Sequence, residues 1–155
     1  MVIKIEKGYL DSNENFVTTK TFIFSGVDNV SDRHSSPNIK ISAPGKSAED
    51  SVAFNLSGLQ RFISFDFRLI NDGTDKSDGT NTTQVVTIDE QFTYLKDIFL
   101  DPSSDVQYRI TINNLITQLC MIDDITINLT FNNPNYYKGS IQLSIGSNPL
   151  SINTS

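Results

Sequence analysis

Leu59-Gln60-Arg61-Phe62-Ile63-Ser64-Phe65-Asp66-Phe67-Arg68-Leu69-Ile70 is the stretch that decides the fold. Ile63, Phe65, Phe67 and Leu69 recur at every second position, and Ser64, Asp66 and Arg68 fill the places between them, flanked by Phe62 and Ile70. A period of two is the signature of a strand. One face is apolar enough to be core and the other is partly polar, as in an antiparallel sheet with one wetted side. Were both sides covered, Asp66 would be a buried carboxylate opposed by Arg68.

The chain after this strand is all turn chemistry from Asn71 to Asn81, with two Asp-Gly pairs and no apolar residue. It predicts a long polar hairpin loop leading to a strand around Gln84-Val85-Val86. A helix is expected next, over residues 88–100. Thr87 is its N-cap, and Glu90 three residues on completes a capping box. Ile88, Phe92, Leu95 and Phe99 form its apolar stripe, widened by Ile98. Asp89, Glu90, Gln91, Lys96 and Asp97 supply its wet faces, and Pro102 stops it.

Period two then returns. Val106, Tyr108, Ile110 and Ile112 alternate up to Asn113-Asn114. Leu115 to Ile122 is apolar on both sides, which predicts a buried strand, and Asp123-Asp124 reads as a turn. Ile125, Ile127, Leu129 and Phe131, then Ile141, Leu143 and Ile145, predict a hairpin over 125–146 turning at Asn132-Asn133-Pro134-Asn135. On the N-terminal side, Ile3 with Ile5 and Phe22 with Phe24 mark two strands. Residues 27–50 are loop-rich, with a brief strand at Ile39 and Ile41. Ser147 to Ser155 is a polar tail.

These elements compose a mainly β chain, an antiparallel β-sandwich or flattened barrel flanked by one amphipathic helix. It reads as a single domain over 1–155, with a loop-rich insertion at 27–50 and a polar hairpin loop at 71–81.

Composition narrows the function. Twelve basic against eighteen acidic residues give a net charge of −6, which disfavours tight binding to nucleic acid or to an anionic membrane. The opening Met1-Val2-Ile3-Lys4-Ile5-Glu6-Lys7 interrupts its apolar residues with charges at once. It reads as neither signal peptide nor membrane helix, so synthesis in a cytoplasm is the expectation. Cys120, the one cysteine, lies in Leu119-Cys120-Met121-Ile122 and reads as an inert buried thiol.

Catalytic patterns are missing. His34 is the sole histidine and falls in a polar loop, so neither a zinc site nor a Ser-His-Asp triad can be built around it in the usual way. There is no Gly-x-Ser-x-Gly and no phosphate-binding glycine loop. Carboxylate pairs exist, but Trp, the usual sugar-stacking residue, is absent. Asp72, Asp75 and Asp78 are the candidates for a Ca²⁺ site. Their spacing is not that of an EF-hand and no closing Glu follows, so a solvated hairpin without metal or cofactor is the reading preferred.

The order of elements resembles the tail-tube family of tailed viruses, with its distal-tail and tube-terminator relatives. The strand Leu59–Ile70, the polar loop Asn71–Asn81, the capped helix Ile88–Leu100 and the hairpin Ile125–Gly146 carry the resemblance, which covers most of the chain as topology. It implies a non-enzymatic structural subunit that self-assembles into homo-oligomeric rings, with six as the candidate copy number. It also implies other virion proteins as partners and a place in the virion after assembly in the host cytoplasm. Residues 27–50 would be an inter-subunit arm, and Asp72, Asp75, Lys76 and Asp78 the assembly loop. The residues equally admit a monomeric β-sandwich module that binds a carbohydrate, a peptide or a protein.

Overall fold

The structure is a computed structural model and describes residues 2–35, 38–41, 52–55, 60–100, 105–129 and 136–146. Pro102, Phe131, the turn at 132–135, part of the 27–50 insertion and the tail from 147 lie outside the described residues.

Seven strands form one antiparallel sheet: β1 (Ile3–Leu10), β2 (Phe16–Phe24), β3 (Asp28–Ser35), β6 (Gln60–Ile70), β7 (Gln107–Ile112), β8 (Ile116–Asn128) and β9 (Tyr136–Ile145). Their order across the sheet is β2-β1-β7-β8-β9-β6-β3. Between them, β4 (Asn38–Ile41) and β5 (Val52–Asn55) pair as a separate two-stranded ribbon. The helix α1 (Ile88–Phe99) carries the chain from β6 to β7.

The sheet rolls over its apolar face without closing into a tight barrel. Although β2 and β6 stand far apart in strand order, the Phe24 ring lies 5.2 Å from that of Phe65 and 4.8 Å from that of Phe67. Ile63, Phe65, Phe67 and Leu69 all point into this roll and are buried, as their alternation predicts. Ile3, Ile5, Phe22, Ile110, Ile141 and Leu143 belong to the same core, which the helix residues Ile88, Tyr94, Leu95 and Ile98 cover. The close approach needs glycine at one place. Gly139 stands opposite Phe67, and a Cβ there would fall 2.4 Å from the Phe67 ring.

Helix α1 begins at Thr87 with a variant of the capping box, in which the reciprocal bond goes to the residue before the cap. Thr87 Oγ1 accepts from Glu90 N at 3.2 Å, while the Glu90 carboxylate reaches back to Val86 N at 3.1 Å. The buried face is rotated from the expected stripe. Ile88, Gln91, Tyr94, Leu95 and Ile98 are inside, and Phe92 and Phe99 are half-buried. Gln91 turns inward because its amide donates to the Ile70 and Val86 carbonyls, both at 2.7 Å. A buried side-chain amide needs hydrogen-bond partners, and these two carbonyls supply them.

Three further expectations are corrected. Asp123-Asp124 is not a turn. It sits at a bulge inside the single long strand β8, where the Ser144 hydroxyl donates to Asp123. Leu115–Ile122 is not buried on both sides, since Leu115 and Met121 are exposed and Cys120 alone of that run is fully covered. No strand forms at 84–86. As for Cys120, burial with the Asp123 charge nearby pushes its thiol up to about 12. It is therefore expected to react slowly with a thiol reagent in the folded protein and fast in denaturant. Equal rates in both conditions would place it at the surface.

Candidate functional site

The acidic loop folds back on the sheet instead of projecting as a solvated hairpin. Lys76 and Ser77 are buried, at 3% and 0% exposure. The Lys76 ammonium is held by Asp72 Oδ2 at 2.6 Å and Thr74 Oγ1 at 2.7 Å. Asp75 accepts from Ser77 N and Val85 N, which seats Val85 in the core. Hydrogen bonds from Lys76 and Thr74 hold the Asp72 carboxyl well below the usual carboxylate range. Burial raises the Asp75 carboxyl, but the backbone donors Val85 and Ser77 outweigh it and leave it lowered.

This arrangement explains why the loop is there. The Lys76 carbonyl accepts from Ile23 N at 2.8 Å, and Tyr94 Oη accepts from Thr21 N at 3.3 Å. The loop and helix thus cap the outer edge of β2, a device that keeps edge strands from pairing at random. Of the four proposed assembly residues, Asp72, Asp75 and Lys76 are engaged within the chain. Asp78 stays exposed, 3.9 Å from Lys4. As calcium ligands Asp72, Asp75 and Asp78 do not converge, and among the described residues no three His, Cys, Asp or Glu side chains group as a metal cluster.

Among the described residues the opposite edge of the sheet is β3. It is bulged between Asp28 and Ser31, with Asn29 at a φ of 54°, and it carries charge. His34 lies on this strand and not in a loop, 3.4 Å from Asp32, which the Arg61 guanidinium grips at 2.9 and 2.6 Å. That grip lowers the Asp32 carboxyl from its ordinary value.

The outer face of the sheet is polar and open over β8, β9, β6 and β3. Asp66 is exposed there and accepts from Asn29, so it is no buried carboxylate, and Arg68 pairs with Asp28 at 3.7 Å. Two shallow grooves of about 320 and 380 Å³ run across this face. Their aromatic residue with an outward ring, Phe62, is already covered by the Arg33 guanidinium at 4.8 Å. At the β1–β7 end the face is closed by Glu6, which takes Arg109 Nη2 at 2.7 Å and Thr18 Oγ1 at 2.6 Å. Burial raises the Glu6 carboxyl, and these donors more than reverse it.

One apolar cleft is left half-covered between α1 and β8. Phe92, Phe99, Leu100, Ile125 and Ile127 line it over Leu95, with Lys96 at its margin. Leu100 is 67% exposed, and Leu129, just beyond Ile127 on the same chain, is 48% exposed. The cleft holds about 210 Å³, below the roughly 300–1,000 Å³ of small-molecule pockets, so it suits inserted side chains. Sequence reasoning assigned Phe92 and Phe99 to the buried stripe and so hid this cleft. The ribbon β4–β5 was half legible. Ile39 and Ile41 were seen, and Val52 and Phe54, which stand opposite them in register, carry the same alternation.

No family model matches the chain, and no curated protein matches it. Among solved structures it is similar in fold to a chain in the tail of an empty gene transfer agent particle refined with C6 symmetry. The identity is 13% and the TM-score 0.47, over 94% of this chain and 90% of that one. It is also similar to a chain of the virion of a native gene transfer agent particle, at 17% identity and a TM-score of 0.39, over 92% and 95%. Both are likenesses in the course of the chain, with no residue-by-residue correspondence.

Proposed function

We propose that the chain is a non-enzymatic structural subunit of a tailed-virus tail, a tube or tube-end component. It would assemble with copies of itself into rings, with six the copy number to test, and with other virion proteins. The observation that carries the reading is the ribbon β4–β5. Among the described residues it pairs with no other strand, and a lone two-stranded hairpin is marginally stable in water. A partner surface would supply what it lacks. The half-covered cleft at α1 and β8 is a second surface awaiting a partner, since exposed apolar patches mark interaction sites. The order of long strand, polar loop, capped helix and C-terminal strand pair, on which the tail-tube resemblance rests, is retained in the fold. The acidic charge suits a conduit that must not hold DNA.

The test is sedimentation and negative-stain microscopy of the purified chain over a range of concentrations. Concentration-dependent rings or tubes are expected, with native mass giving the copy number. A chain that stays monomeric at every concentration would favour the monomeric binding module, although the polar outer grooves, with Phe62 already stacked, offer a sugar no bare aromatic.

A further inference from the structure

We infer that the cleft between α1 and β8 receives the tip of the β7–β8 hairpin of a second copy of the chain, with Leu115 as the inserted side chain. The inference rests on the assembly reading and adds to it which two surfaces meet.

The hairpin turns through Asn113-Asn114-Leu115, and Leu115 is the most exposed large apolar side chain among the described residues, at 83%. Val2, also exposed, stands at the same end of the sheet. The tip is held firmly. Leu115 N donates to the Ile112 carbonyl at 3.0 Å, Asn113 N donates to the Val2 carbonyl at 2.8 Å, and Val2 N donates to Asn113 Oδ1 at 2.8 Å. A side chain already fixed in place loses little freedom on binding. The cleft has room for it, since a cavity of about 150 Å³ takes a benzene-sized apolar group and this one holds about 210 Å³.

Charge favours the same match. Copies of a chain with a net charge of −6 repel one another, so contact between them is most favourable where neither surface is acidic. No charged residue occurs from Ile110 to Ile122, the stretch that contains the tip. The charge at the cleft is Lys96, which meets no cation on the tip and can donate to its amide and backbone oxygens.

The partner is a second copy because of where the two surfaces lie. Leu115 immediately precedes β8, whereas Ile125 and Ile127 lie near the far end of that strand. About ten strand residues separate them, roughly 30 Å, so a tip cannot enter its own cleft. Each copy offers one tip and one cleft at opposite ends, which makes the contact heterologous and able to repeat.

Two variants of the full chain test this. Leu115→Lys puts a cation on the tip and Leu100→Lys puts one in the cleft, where Lys96 repels the first and crowds the second. Both positions are exposed, so each variant should melt like wild type; serine at the same position replaces lysine if either does not. Each alone is expected to raise the concentration needed for association by about tenfold or more. Mixed in equal amounts, they should form pairs that sedimentation velocity does not find with either alone. The intact tip of the Leu100→Lys chain then enters the intact cleft of the Leu115→Lys chain, and the two disabled surfaces left over extend the contact no further. Variants that assemble like wild type, or a mixture that gives no pairs, overturn the contact and leave the assembly reading standing. A wild type that never associates overturns both.

Discussion

Phe24→Ala is expected to lower stability by about 3–5 kcal/mol, the usual loss for truncating a buried phenylalanine. In a chain of this length that corresponds to a fall in melting temperature of roughly 6–20 °C. Phe24 sits at the upper end of the range because it does more than fill space. Its ring meets Phe22, Phe65 and Phe67 with centroids 4.8, 5.2 and 4.8 Å away, and each such pair adds about 0.5–1.5 kcal/mol beyond burial. These contacts are also what draw β2 across to β6, so the truncated variant loses the pin that keeps the sheet rolled. Thr126→Ala, on the exposed face of β8, should change stability by under about 0.5 kcal/mol. Urea unfolding of both variants checks the pair, and similar small effects would mean that the roll is held elsewhere.

The parts of the fold that show in the sequence are those whose partner is the core itself. In β6, Ile63, Phe65, Phe67 and Leu69 face apolar neighbours, so the alternation alone places them. The helix start shows because Thr87 and Glu90 satisfy donors within five residues of each other. Wherever a polar side chain is required by distant backbone, the pattern misleads. Gln91 looks like a wet residue, yet it is buried because its amide donates to the carbonyls of Ile70 and Val86. Rotating the helix to admit it lifts Phe92 and Phe99 partly out of the core, and that rotation opens the cleft beside β8. Strand β3 was missed for a related reason. Asp28-Asn29-Val30-Ser31-Asp32-Arg33-His34-Ser35 has turn composition and is extended because β6 offers it an unpaired edge. The residues of the candidate interface thus became visible when a buried glutamine had been located, which no period or propensity reports.

Replacing residues 72–80 with a two-residue Asn-Gly turn is expected to damage the monomer, contrary to what a solvated hairpin loop would allow. The replacement deletes the Lys76 carbonyl that accepts from Ile23 N and the Asp75 carboxylate that accepts from Val85 N. Each hydrogen bond exchanged for water costs about 0.5–1.5 kcal/mol, and Val85, 3% exposed, loses its seat and the burial that goes with it, about 1.5–3 kcal/mol. A loss of roughly 3–6 kcal/mol is a large share of the 5–15 kcal/mol typical of a domain. The uncapped β2 edge should also promote aggregation, read as light scattering that rises well below the wild-type unfolding temperature. Acid gives an independent view of the same loop. The carboxyls of Asp72 and Asp75 are lowered in the folded state, so the stability they contribute is complete above their unfolded pKa of about 3.9 and is lost as pH falls through their folded values. Wild type should therefore destabilise more steeply below about pH 4 than the shortened variant, which lacks both groups. Because shortening injures the fold, loss of assembly in that variant would say nothing about contacts made by the loop. Asp78→Asn isolates that question, since Asp78 is exposed and pairs only loosely with Lys4. It should melt like wild type, and if it also assembles like wild type, the 71–81 loop serves the edge of its own sheet and not a neighbouring subunit.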